Sequence, residues 1–329
     1  MKQYTLGIDI GGTKCAVVLG GTQIPCENSR HFILDKECFP TQTQLGPEHT
    51  ISRLYETVDH ILERNHITTA ALAGIGISCG GPLNHLTGVI CDPPNLYGWT
   101  NIPIVELFTN RYQVPVYLQN DANACALAEW KFGAAKGCSN IIFLTFGTGM
   151  GAGLILNNQL YCGANDMAGE VGHIRIASNG PVGFGKTGSF EGFCSGSGIA
   201  QLARTVAMEA LQKGQPPAFC PTIAQLDTLN AKNVAEAADN GDPLAAEVYR
   251  LCGENLGKGL SILVDTLNPE MIVLGSIFQR SATLLWPAAR KIMVKETLPQ
   301  SFQACKVVPS LLGEQIGDYA AISIILSQL

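Results

Sequence analysis

The chain of 329 residues is 46% apolar and 15% charged, proportions that fit a globular protein with a large core and exclude a disordered one. Its formal net charge of -6, without a run of Lys or Arg, offers no footprint for nucleic acid or an anionic membrane and points to a small-molecule partner. The opening MKQYTLGIDIGG lacks the apolar core of a signal peptide, and no stretch approaches ~18 uninterrupted apolar residues, so a cytoplasmic location is expected.

Tyr4 to Ile10 is an apolar run stopped by GGTK, and a second run follows from Cys15 to Leu19, which predicts a β-hairpin with a glycine turn. Residues 49 to 65 place Ile51, Leu54, Tyr55, Val58, Ile61 and Leu62 at helical spacing, and AALAGIGIS then reads as a buried strand, an order that implies a layered α/β domain. In VPVYLQNDANACALAEWKFGA a strand ends near Gln119 and a helix starts after Asn120 or Asp121. IIFLTFGTGMGAGLILNNQLYC repeats the strand, glycine turn and strand of the N-terminus, with LILNNQLYC a tight hairpin. Two such units, one opening each half, suggest a duplicated α/β architecture with a cleft between two lobes. Gly163 to Gly198 is irregular, the pattern from 199 is helical, MIVLGS supplies one more buried strand, and GDYAAISIILSQL is an apolar helix expected to pack on the first lobe. The 12 cysteines are scattered and never CxxC, the pattern of buried, reduced thiols rather than a disulfide framework.

Glycine turns leave backbone N–H groups open to an anion. DIGGTK (9 to 14) and TFGTGMG (145 to 151) each place a threonine beside glycine after an apolar strand. One turn alone reads as a plain hairpin; the pair favours phosphate binding, and Asp9 supplies an acid where a nucleotide's Mg²⁺ needs one. Neither turn matches the P-loop or dinucleotide patterns. Asp121 sits where a strand meets a helix and, from the residues alone, is either a helix cap or a catalytic carboxylate.

LGIDIGGTKCAVVLG, GISCGGPLNHLTGVICDPPNLYGW, QNDANACALAEWKFGA, LTFGTGMGAGLILNNQLYCGANDMAGEVGH and IVLGS resemble, in order and spacing, the ROK family of sugar kinases and repressors within the actin and hexokinase-like ATPase superfamily. The resemblance spans almost the whole chain and implies a two-lobed, actin-like (ribonuclease H-like) α/β fold with a central cleft. One lobe would hold residues 1–120 and about 305–329, the other 121–304, with nucleotide and sugar in the cleft, which would close around the sugar. It implies that Gly11, Gly12, Thr13, Lys14, Thr148 and Gly149 surround the ATP phosphates, that Gly275 lies near the adenosine, and that Asp121 is the general base for a sugar 6-hydroxyl. Gly81, Asn95, Asn120, Asp121, Glu170, His173 and Glu191 would bind the sugar, although His173 alone reads also as a core histidine and Glu191 as a helix-terminus carboxylate.

The family commonly places a zinc on the histidine of GEVGH and three cysteines; alignment on Glu191 puts Val182, Phe184 and Ser189 at the cysteine positions. Structural zinc is therefore expected to be absent, with burial of Val182 and Phe184 replacing coordination. The resemblance implies an ATP- and Mg²⁺-dependent hexose kinase and a homodimer. Glucose is the foremost substrate; N-acetylmannosamine, N-acetylglucosamine, allose and fructose are the alternatives. A sugar-sensing regulator without turnover is the alternative of another class, but family repressors carry an N-terminal helix-turn-helix domain, whereas here the phosphate motif is reached by Asp9.

Overall fold

The computed structural model describes residues 3–23 and 32–329; Cys26 lies outside them. Strands β1 (Tyr4–Ile10), β2 (Lys14–Gly21) and β3 (Ile33–Pro40) pair antiparallel in sequence, so the expected hairpin is present. Helix α1 (Gly46–Arg64) carries Pro in its first turn, where the fixed φ suits a helix start, and buries Ile51, Leu54, Val58, Ile61 and Leu62. Strand β4 (Leu72–Cys79) is buried at every residue, as befits an interior parallel strand. A small hairpin, β5 (Leu83–Asn84) and β6 (Val89–Ile90), leads to α2 (Ile104–Tyr112), β7 (Val116–Asn120) and α3 (Asp121–Lys131).

Strands β8 (Ile141–Leu144), β9 (Ala152–Leu156) and β10 (Gln159–Leu160) follow. Asn157 and Asn158 both take positive φ, 53° and 62°, as a tight two-residue hairpin loop requires. The glycine-rich stretch holds only a two-rung hairpin, β11 (Val182–Gly183) with β12 (Lys186–Thr187), and a helical turn, α4 (Phe190–Phe193). Helices α5 (Gly196–Gln212), α6 (Ala231–Asp239) and α7 (Pro243–Leu267) come next. Strand β13 (Met271–Leu274), helices α8 (Ile277–Glu296) and α9 (Pro299–Ala304), strand β14 (Lys306–Pro309) and helix α10 (Ile316–Leu326) complete the chain.

The chain divides into two units. The first comprises Met1–Gly137, Gly153–Ala168 and Glu314–Leu329. Its sheet has the order β3-β2-β1-β4-β7, with β4 parallel to both β1 and β7. One core joins Leu6 and Ile8 of β1, Ile75 and Ile77 of β4, Leu54 and Ile61 of α1 and Phe108 of α2. The apolar helix α10 packs on β1, β4 and α3, in the first unit as expected. The second unit comprises Cys138–Ala152 and Gly169–Gly313. Strand β13 runs parallel between β8 and β14. Helices α7 and α8 approach closely: a Cβ on Gly253 or on Gly257 would lie 2.5 Å from Leu285 O or Ala289 O respectively.

These bounds differ from the expected division after residue 120 and near 305. Helix α3 stays in the first unit because it packs against α10. Residues 306–309 stay in the second because they pair with β13. The eleven described cysteines form no disulfide among the described residues, and Cys15, Cys79, Cys194, Cys220 and Cys252 are buried. No helix of the described residues is long and apolar enough to cross a membrane.

Candidate active site

The turn between β1 and β2 is closed by Gly11 N–H donating to Lys14 O (3.2 Å). Thr41 clamps it from outside: its hydroxyl donates to Gly11 O (2.6 Å) and its N–H to Thr13 O (3.0 Å). Gly12 lies against the loop carrying Asn95, where a Cβ would come within 2.9 Å of Asn95 O. The Gly11–Gly12 turn and the Asn95 loop are thereby packed together, while Thr13, Lys14 and Asn95 keep exposed side chains.

Asp9 stands in β1 opposite Ser78 of β4, which hydrogen-bonds its carboxylate. Burial, then the charge of Asp121, push the Asp9 carboxyl up to about 7; Asp318 adds to this, and Ser78 and Lys14 oppose it. Asp318 is itself paired with Lys36 (2.6 Å). Burial also pushes the Cys15 thiol up to about 11 and raises Cys79 and Cys125, with help from Asp9 and Asp121. These thiols stay protonated at neutral pH and are not nucleophiles.

Asp121 is the first residue of α3, at the carboxyl end of β7, so the strand-to-helix junction is where the sequence placed it. Asn120 caps the helix: its Oδ1 accepts from Ala122 N–H (2.9 Å), and Asp121 Oδ1 accepts from the same group (2.8 Å). The amide Nδ2 of Asn120 faces Gly81, 3.2 Å from where a Cβ would stand. Asp9, Gly11, Gly12, Gly81, Asn95 and Asp121 line one cavity of about 250 Å³. Asp9, Ser78 and Asp121 present only oxygens there, the hard donor set that suits Mg²⁺, and crowded carboxylates are what a divalent cation relieves.

In the second unit the turn after β8 is tied by Thr145 N–H to Gly151 O (3.0 Å), Gly151 N–H to Thr145 Oγ1 (2.8 Å) and Gly147 N–H to Gly149 O (3.1 Å). Glu191 is anchored on it, since its Oε2 accepts from Met150 N–H (3.0 Å) and lies 2.8 Å from where a Gly149 Cβ would be. Thr148 and Gly147 line a second cavity of about 970 Å³, with Ser197, Asn230, Lys232 and Arg280 on its other walls. Gly275 is not in its lining; it is buried, its N–H donates to Leu144 O (3.0 Å), and its neighbour Ser276 reaches the lining. Ser78, Asn230, Lys232 and Arg280 were not singled out from the sequence. Ser78 was findable as the one hydroxyl in the apolar strand GIGISC, whereas the others come from helices without a motif.

Glu170 precedes and His173 ends a single helical turn, Val171–His173, and both are exposed. His173 is therefore no core histidine; its ring packs edge-on against Phe184 at 5.3 Å between centroids. The expected burial of Val182 and Phe184 does not hold: they are 43% and 77% exposed. Both sit in the β11–β12 hairpin, which is held by hydrogen bonds instead. Gln201 accepts from Val182 N–H (2.9 Å) and donates to Val182 O (2.9 Å), Arg175 donates to Thr187 O (2.7 Å) and Lys186 to His173 O (2.7 Å). Ser189 is buried and caps α4 through Gly192 N–H (3.1 Å).

Residues 5–327 match the model of the ROK family. A glucokinase of Thermotoga maritima is 30% identical over 329 residues, 100% of this chain and 99% of that protein. The crystal structure of a ROK hexokinase from Thermus thermophilus is similar with a TM-score of 0.78 at 26% identity, covering 99% of each chain. That of a ROK family glucokinase from Streptomyces griseus, in complex with glucose and AMPPNP, gives 0.73 at 26% identity, covering 97% of this chain and 98% of that one. The mixed α/β topology is that of the actin-like ROK sugar kinases, and on the match over residues 5–327 this chain belongs to the ROK family.

Proposed function

We propose that this protein is an ATP-dependent kinase that transfers the γ-phosphoryl group to the 6-hydroxyl of a hexose. Glucose is the foremost substrate, with N-acetylmannosamine, N-acetylglucosamine, allose and fructose as alternatives. The observation that carries the reading is the position of Asp121, at the head of α3 in the wall of a cavity it shares with Asp9, Asn95 and the Gly11–Gly12 turn. The names of the relatives, two glucokinases and a hexokinase, support the choice of sugar.

In this reading the Asp121 carboxylate accepts the proton of the sugar hydroxyl as that oxygen bonds to the γ-phosphorus and the bond to ADP breaks. General-base assistance of this kind contributes roughly 10²- to 10⁴-fold; positioning and charge stabilisation supply most of the rest. Asn95, Asn120, Glu170, His173, Glu191 and the backbone at Gly81 are the sugar's partners, a mixture of amides, carboxylates and imidazole matched to hydroxyls that both donate and accept. Gly11, Gly12, Thr13, Lys14, Thr148 and Gly149 receive the phosphates. The larger cavity, beside Thr148 and Ser276, the neighbour of Gly275, is of a size for the nucleoside. Mg²⁺ carried by the nucleotide supplies charge neutralisation, and Asp9 is the residue that would hold it. The β11–β12 hairpin does its work without a structural zinc on His173, and the enzyme is a cytoplasmic homodimer, which anomalous diffraction at His173, cell fractionation and light scattering test.

A coupled ADP-release assay over a panel of hexoses tests the activity. ADP release that depends on glucose supports the reading. Sugar binding without ADP release for any hexose would leave the regulator.

A further inference from the structure

Away from the residues assigned to sugar or nucleotide, the first unit holds a second constellation. His85 stands in the turn between β5 and β6, and Cys162 and Asp166 in the loop after β10, which is closed by Ala168 N–H donating to Cys162 O (3.1 Å). One ligand atom from each of the three lies within 4.8 Å of the others. We propose that His85, Cys162 and Asp166 form a binding site for a borderline divalent metal ion, zinc above all, that staples the loop after β10 to the β5–β6 turn.

The spacing is close to that of a first coordination sphere. Ligand atoms about 2.0–2.3 Å from a shared zinc stand roughly 3.3–3.8 Å apart in a tetrahedron, so small side-chain adjustments suffice. The Asp166 carboxylate is 6% exposed; it bonds the His85 ring through Nδ1 and accepts from His85 N–H at 2.8 Å, which fixes both side chains before any ion arrives. The sulfur of Cys162 accepts from Gln119 Nε2 (3.5 Å) and Asn123 Nδ2 (3.8 Å), the outer-shell support a metal thiolate uses. Gln119 is oriented in turn, since its Oε1 accepts from Asn120 N–H (2.9 Å) and Asn123 Nδ2 (3.1 Å). One sulfur, one nitrogen and one oxygen select zinc-like ions over Mg²⁺ or Ca²⁺, which take oxygen. The ring of His85 is 30% exposed, so water can supply the fourth ligand. On binding, the thiol proton leaves to solvent and the sulfur–metal bond takes its place.

The test uses the full chain, stripped by chelator, kept reduced and titrated with Co²⁺. A thiolate-to-cobalt charge-transfer band should saturate at one equivalent, be displaced by Zn²⁺ and vanish in Cys162→Ser. Asp166→Asn and His85→Ala should each weaken Co²⁺ binding by at least about tenfold. The absence of a saturating band, or an unchanged band in Cys162→Ser, overturns the proposal. Anomalous diffraction from a zinc-soaked crystal of the unaltered protein guards against misfolding of the variant: zinc bonded to Cys162 Sγ and His85 supports the site, and an ion elsewhere or none at all rejects it.

Discussion

Asp9 and Asp121 line one cavity, and the charge of Asp121 adds to burial in holding the Asp9 carboxyl at about 7. Folding lifts Asp9 from its ordinary 3.8, so between these values the folded state binds more protons than the unfolded, and stability falls as pH rises through that window. The loss is at most about 4 kcal/mol. With chelator present, Asp9→Asn should flatten this decline and be the more stable protein near about pH 8, the two converging near about pH 4. Parallel urea-denaturation profiles across pH would refute the assignment.

Asp121→Ala should leave sugar binding measurable by calorimetry and reduce turnover by at least about 10²-fold. Near-normal kcat in this variant removes Asp121 from the chemistry. Glu170→Ala should act on the other parameter and raise the sugar KM, because a hydroxyl partner is left unpaired; an unchanged KM and kcat would reject that role.

Gly12→Ala places a Cβ 2.9 Å from Asn95 O and 3.0 Å from Asn95 Cβ, contacts that backbone must move to relieve. The expected cost is about 1–3 kcal/mol in stability, with a raised sugar KM as Asn95 is displaced. A midpoint and KM equal to those of the parent would mean the two loops are not coupled.

The β11–β12 hairpin separates packing from hydrogen bonding. Phe184→Ala, at a residue 77% exposed, should cost under about 1 kcal/mol. Gln201→Ala removes both bonds to the Val182 backbone and should cost about 1–2 kcal/mol. Guanidinium denaturation of the two variants decides; the reverse ranking would restore the apolar account.

Strands, glycine turns and the β7–α3 junction were legible because each is a local pattern: an apolar run, a turn residue, a cap. Asn120 and Asp121 could be placed on that basis alone. The larger cavity was not legible, since its walls at Thr148, Asn230 and Arg280 are joined only by packing of helices distant in sequence. The exposure of Val182 and Phe184 was missed for a related reason. Residue type suggested burial, but the position this two-rung hairpin turns toward α4 is Gly183, leaving the Val182 side chain outside, and Gln201 lies outside the loop. The compact units follow partners rather than position in the chain: α3 goes with α10, and β14 with β13.

Helices α7 and α8 touch backbone to backbone only because Gly253 and Gly257 present hydrogens where Leu285 O and Ala289 O arrive. The same helix α8 begins at Ile277, beside Ser276 in the lining of the larger cavity. A methyl group at either glycine would act as a wedge, tilting α8 and shifting the cavity wall from well behind it. Substitution at these two positions is thus limited by the shape of a cavity that neither glycine lines.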